Sequence, residues 1–216
     1  SREHIGAIRY QFKAINFSGK ISVNSAVNGD VSNHHHLRDK KALEVIETEM
    51  DTNTGHLLHR VKTSNFTVAY VVEHLLDDYS KENCEVKKRT SDNRIDWIFE
   101  ISAVEGEEYT IDKIVGINHS KEEAETPLSA ARASVARASI TGFENLIEEQ
   151  AEFMSGYWQD VDVKIEGDEA LQQAFRFNAF HILQAAGKDG QTSVAAKGIS
   201  GEYYEGHYFW DTESYI

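Results

Sequence analysis

Residues 197–213, KGISGEYYEGHYFWDTE, gather glycines, a histidine, aromatic rings and carboxylates into one short stretch. Gly198, Gly201 and Gly206 admit backbone conformations closed to other residues, so the stretch can form a tight loop held against a ligand. The Phe209-Trp210-Asp211 step sets a flat apolar ring beside a carboxylate. That pairing suits a sugar, whose C–H faces pack on an aromatic while its hydroxyls need charged acceptors. Trp210 and Asp211 are therefore the leading candidates for substrate contact. Phe209 reads as a wall of the same site, Lys197 as a reach toward sugar hydroxyls or a brace for Asp211, and His207 as a fixer of the loop or a further contact. Taken alone, Trp210 and Asp211 also read as a helix start, with Asp211 capping. Glu213 lies two residues beyond Asp211, and residues two apart on a helix do not share a face, so the two carboxylates do not form a catalytic pair.

Composition narrows the field. The 216 residues carry 22 Lys and Arg against 36 Asp and Glu, a formal net charge of -14. Such a surface repels phosphate backbones, and Lys87-Lys88-Arg89 is too short a basic run to offset it, so nucleic acid is excluded as a partner. No apolar run approaches the length that spans a bilayer. A single cysteine, Cys84, excludes an intrachain disulfide and fits a reducing, cytoplasmic setting. Flanked by Glu85 in a polar stretch, its thiol is a poor nucleophile. His34 and His36 share a face in an extended segment, but no third or fourth ligand completes a zinc site there, so no metal is expected. Residues 187–193, GKDGQTS, fail the spacing of a phosphate loop.

The elements that must position these residues change character midway. Over the first 120 or so residues apolar side chains alternate: Ile8, Tyr10 and Phe12; Ile21, Val23 and Val27; Phe66, Val68, Tyr70 and Val72; Ile95, Trp97, Phe99 and Ile101; then 111–117. Turns are expected at Asn28-Gly29-Asp30, Thr54-Gly55 and Glu105-Gly106-Glu107. Many half-buried strands with short connections predict an antiparallel sheet or sandwich. Thr126-Pro127 then marks a helix start, with Leu128, Ala131, Val135 and Ala138 on one face and Gly142 as its end. Phe143, Leu146, Ile147 and Ala151 form the apolar face of a second helix. A third is expected from Asp168 as N-cap to Gly187 as C-cap, with His181 buried on its apolar face.

Two stretches also carry a family resemblance. RFNAFHILQAAGKDGQTSVAAKGISGEYYEGHYFWDTE (176–213) closely resembles the start of the catalytic barrel of glycoside hydrolase family 65, the disaccharide phosphorylases acting on maltose, trehalose, kojibiose and nigerose. REHIGAIRYQFKAINFSG (2–19) resembles a strand pair of that family's N-terminal β-sandwich. Residues 126–162, with Trp158 ahead of Asp160-Val161-Asp162, resemble its helical linker. The resemblance implies a mixed β-then-α architecture: part of an antiparallel β-sandwich over 1–122, a helical linker over 123–166, and the first helices of an (α/α)6 barrel over 167–216. It implies an inverting glycoside phosphorylase that cleaves an α-glucosyl disaccharide with inorganic phosphate as co-substrate, giving β-glucose 1-phosphate without any other cofactor. One glutamic acid serves as general acid and phosphate as nucleophile. Both sites lie further along the family's barrel, so this portion is expected to hold no catalytic residue and to be inactive alone. Trp210 and Asp211 match positions that hold the glucosyl unit. The unpartnered helix faces imply a homo-oligomer. A carbohydrate-binding or assembly module, and a trehalase-like hydrolase of the same family, are the competing readings.

Overall fold

The computed structural model describes residues 3–31, 41–120, 126–186 and 209–210. Eight strands come first: β1 (Ile5–Lys13), β2 (Gly19–Asn28), β3 (Leu43–Met50), β4 (Thr54–Val61), β5 (Thr67–Leu76), β6 (Cys84–Ser91), β7 (Arg94–Ala103) and β8 (Glu108–His119). A short helix α1 (Asp78–Glu82) joins β5 to β6, and three longer helices follow: α2 (Pro127–Thr141), α3 (Phe143–Val161) and α4 (Glu169–Ala185). Antiparallel β-sheets followed by helices is thus the observed order. The chain divides into two compact units, one of residues 1–31 and 41–151, the other of 32–40 and 152–216.

In the first unit a five-stranded sheet of order β1-β8-β5-β4-β3 faces a three-stranded sheet of order β2-β7-β6, all pairs antiparallel. The core lies between them. Leu57, Val72, Tyr109 and Ile111 from the larger sheet meet Ile95, Trp97, Phe99 and Ile101 from β7. These four β7 residues are separated by Asp96, Ile98 and Glu100, and the strand's period of two puts the four side chains on one face. His74 is buried in the same core, its ring 4.6 Å from Trp97 and 5.2 Å from Phe99. Its Nε2 meets the Ser25 hydroxyl at 2.8 Å, while Nδ1 makes no well-formed hydrogen bond among the described residues. Burial, with the nearby Lys113 charge adding to it, pushes the imidazole down to about 4.

The opposite face of the larger sheet takes α2. Thr126 caps the helix, its hydroxyl accepting from the Ser129 N–H at 3.3 Å, and Pro127 occupies the first turn. The expected face is the one that packs: Ala131, Val135 and Ala138 bury against Ala69, Val71 and Ile114. Small residues allow the helix to sit close. A Cβ on Gly116 of β8 would stand 2.7 Å from Val135 Cγ2 and 2.9 Å from the Ala131 carbonyl oxygen. Gly142, at φ 80°, ends the helix where a β-carbon would strain.

Arg9 on β1 fixes the start of α3. Its Nε and Nη2 donate to the two carboxylate oxygens of Asp112 on β8, both at 2.7 Å. The same guanidinium pairs with Glu144 and lies 4.4 Å from the centroid of the Phe143 ring. These partners raise the Arg9 pKa further above its already high value, the Asp112 bonds contributing most.

Several expectations need correction. Thr54-Gly55 is not a turn but the opening of β4, and β3, β4 and β6 were not visible as alternating runs. Ile8 and Tyr10 are 60% and 53% exposed, on a strand that forms the edge of the larger sheet. His181 is exposed rather than buried, its ring lying 4.2 Å from that of Phe177 on the surface of α4. Gly187, the expected C-cap, lies outside the described residues.

Candidate functional site

In the second unit a cleft of ≈ 880 Å³ opens where the segment before α4 meets the helix, lined among others by Ile165, Asp168, Gln172, Arg176, Phe177 and Phe180. Local hydrogen bonding builds it. Asp168 caps α4 by accepting from the Leu171 N–H at 2.9 Å. Gln172 accepts from the Ile165 N–H at 2.8 Å and donates to the Val163 carbonyl at 3.0 Å, pinning the segment to the first turn. Arg176 donates from Nε and Nη2 to both oxygens of Asp162, at 2.8 and 2.6 Å. The guanidinium holds the Asp162 carboxyl below the usual carboxylate range. An exposed aromatic, Phe177, beside amide and carboxylate groups is the combination that packs a sugar ring and accepts from its hydroxyls.

A catalytic acid is a different matter. Among the described residues, the carboxyls that depart from their ordinary pKa are Asp77, Asp96, Glu100, Glu144 and Asp162, and all lie below it. A general acid at neutral pH needs the opposite shift. The Cys84 thiol is pushed up to about 11 by burial and by the neighbouring Glu85 charge, so it offers no thiolate.

Of the five sequence-derived contact residues, two fall within the described structure. Trp210 is 84% exposed and Phe209 41% exposed. Lys197, His207 and Asp211 lie outside the described residues.

A polar cluster in the first unit escaped the sequence reading. His56 on β4 is buried, and its Nε2 stands 2.9 Å from Glu47 Oε1 on β3. Its Nδ1 receives the Arg132 Nη2 of α2 at 3.3 Å and lies 3.7 Å from Glu49 Oε2, to which Arg132 also donates at 3.0 Å. A guanidinium donor at Nδ1 and a carboxylate at Nε2 assign the ring proton to Nε2. Beside the cluster runs a groove of ≈ 540 Å³ reaching Asp51, Thr54 and Glu73. The signal was present as Glu47-Thr48-Glu49, two carboxylates spaced for one strand face, but β3 had not been recognised as a strand.

Comparison with known proteins settles the family. Residues 1–157 match the glycosyl hydrolase family 65 N-terminal domain, and residues 176–216 match the glycosyl hydrolase family 65 central catalytic domain. The chain belongs to glycosyl hydrolase family 65. An alpha,alpha-trehalose phosphorylase of Thermoanaerobacter brockii is 39% identical over 225 residues, covering 100% of this chain and 29% of the relative. A kojibiose phosphorylase of Caldanaerobacter subterraneus subsp. tengcongensis is 29% identical over 228 residues, again covering 100% of this chain and 29% of that protein. The chain thus spans under a third of the length of these family 65 relatives. Among solved structures, a putative kojibiose phosphorylase from human microbiome superposes with a TM-score of 0.81 at 23% identity, covering 98% of this chain and 27% of that one. At that identity the likeness concerns the fold. The family resemblance carried by residues 2–19 and 176–213 is therefore borne out. No helix among the described residues is long and apolar enough to cross a membrane.

Proposed function

We propose that these 216 residues are part of a disaccharide phosphorylase of family 65 that acts on α,α-trehalose. The observation that carries this reading is the 39% identity, across the whole chain, to a trehalose phosphorylase, against 29% to a kojibiose phosphorylase over the same span. On this reading residues 1–122 contribute part of the β-sandwich, 123–166 the helical linker and 167–216 the first helices of an (α/α)6 barrel. Inorganic phosphate attacks the anomeric carbon, the glycosidic C–O bond breaks, and a glutamic acid protonates the leaving oxygen. The products are β-glucose 1-phosphate and glucose. Phosphate is already an anion at neutral pH, so no protein base is required.

Within this scheme Trp210 and Asp211 hold the glucosyl unit, Phe209 forms a wall, and Lys197 and His207 support the loop. The acid lies elsewhere in the full-length protein, in keeping with the downward-shifted carboxyls found among the described residues. The isolated chain is accordingly inactive. The test is to incubate the purified full-length protein with trehalose, kojibiose or maltose, with and without inorganic phosphate, and to measure glucose 1-phosphate. Phosphate-dependent release, fastest from trehalose, is expected. Phosphate-independent release of glucose would make the protein a hydrolase, and a preference for kojibiose would overturn the substrate. Turnover by the 216-residue chain alone would overturn the placement of the acid.

A further inference from the structure

We propose that Glu47, Glu49 and His56 form a binding site for one divalent transition-metal ion of the zinc class, and that Arg132 is the latch that occupies it otherwise. The site lies on the first unit and is independent of the phosphorylase reading. One ligand atom from each of the three residues falls within 4.8 Å of the others. That spread is what an ion at ~2.1 Å from each donor draws together with small rotations of the carboxylates. The strands supply the convergence. Glu49 pairs directly with His56 across the β3–β4 ladder, and Glu47, two residues earlier in the same regular run of pairs, lies on the same face.

Freedom and fixity are distributed as a metal needs. His56 is an anchor, with a side chain only 3% exposed, while the Glu47 and Glu49 side chains are 49% and 67% exposed and can turn. The Nε2···Oε1 separation of 2.9 Å already suits a shared ion, since two ~2.1 Å bonds across it meet at roughly 90°. An imidazole with two carboxylates is a borderline donor set that selects zinc or manganese over magnesium, which prefers oxygen and retained waters. Two negative charges against one doubly positive ion leave the site neutral, and water fills the remaining positions.

Binding at Nε2 moves the ring proton to Nδ1. Arg132 Nη2, which now donates to that same Nδ1, would face a donor and must leave. Its side chain is 54% exposed and can swing into solvent. Metal and guanidinium therefore exclude one another, and the ion would tie β3, the outermost strand of its sheet, to β4.

The experiment is isothermal titration of the 216-residue chain with zinc chloride, with magnesium chloride as the control and thermal melts alongside. One zinc per chain and a saturating rise in Tm are expected, with magnesium far weaker. Glu47→Gln and Glu49→Gln, both exposed and compatible with folding, should each weaken binding about tenfold or more. Arg132→Gln should tighten it several-fold, a result that simple docking of α2 would not produce. Failure of the unaltered chain to bind zinc would overturn the proposal. So would binding that survives the double change Glu47→Gln/Glu49→Gln yet disappears when His34, His35 and His36 are replaced by Gln. Equal affinity for magnesium would overturn it as well.

Discussion

Replacing Arg9 by alanine tests how the β-sandwich holds the start of α3. Arg9 makes two charge-assisted bonds of 2.7 Å to Asp112, whose side chain is only 11% exposed. Removing the guanidinium leaves that carboxylate enclosed without its cation, which costs about 2–3 kcal/mol for a largely buried charged group. Lost contact with the Phe143 ring adds about 0.5–1 kcal/mol. Glu144 is exposed and adds little, because water screens its pair. The total is about 3 kcal/mol, or a fall in Tm of roughly 6–12 °C for a chain of this size. Arg9→Ala with Asp112→Ala should cost less than the two single changes together, by about 1.5 kcal/mol or more, since no orphan charge remains. Urea unfolding followed by tryptophan emission is the assay. Trp158 and Trp210 would first be changed to Phe so that the buried Trp97 reports on the first unit alone. A loss below about 1 kcal/mol for Arg9→Ala, or strict additivity in the double variant, would refute the clamp.

Three further outcomes follow from the same structure. Gly116→Ala should destabilise the first unit by about 1–3 kcal/mol in the same unfolding assay, because the new methyl meets Val135 and the Ala131 carbonyl. Gly6→Ala, with nothing within 4 Å, should change stability by less than about 0.5 kcal/mol; equal effects would discount the close approach of α2. Because His74 is held neutral in the fold at a pKa of about 4, stability is intact above its unfolded value of ~6.5, falls as the pH drops and levels off below the folded value. The loss is about 2 kcal/mol by pH 5, and the lowered His59 acts in the same direction. His74→Gln should flatten the pH dependence of urea midpoints between 6.5 and 5, and an unchanged slope would contradict the assignment. In the full-length protein Asp211→Asn should cut kcat/KM about tenfold to a hundredfold while Glu213→Gln does far less. The reverse order at equal thermal stability would move the sugar contact.

Alternation showed β1, β2, β5, β7 and β8 in the sequence because alternate side chains of each turn toward the space between the sheets, although β5 and β8 also bury their other face against α2. Capping residues showed α2 and α4. The strands that stayed hidden have specific reasons. In β3 the register shift between Val45 and Glu47 breaks the period of two. In β4 a glycine that looked like a turn is required by packing, since a Cβ on Gly55 would stand 2.9 Å from both Ile95 Cδ1 and Trp97 Cζ2 on the facing sheet. Charged side chains on β6 mask an edge strand that has one neighbour, β7. On β1 the apolar set was assigned to the core, yet Ile8 and Tyr10 are exposed while Ile5 and Ala7 pack against the helical side. For the candidate site, local order along the chain pointed to residues 197–213. The His56 cluster joins two strands and a helix, and no single stretch of sequence displays it.

The pairing of β1 with β8 and of β2 with β7 has a consequence for synthesis. Ile8 faces Lys113 and Val23 faces Phe99, so the earliest strands depend on partners made much later. At ~5–20 residues per second, β1 must wait about 5–20 s on the ribosome before its ladder can close. During that interval its backbone donors and acceptors, with Ile8 and Tyr10 beside them, form an unsatisfied edge open to other chains. Such distant pairing also carries a large loop-closure entropy, so refolding should be slow, in the range of milliseconds to seconds or longer. Aggregation during expression would then track the time that β1 and β2 stand alone rather than the stability of the finished sandwich.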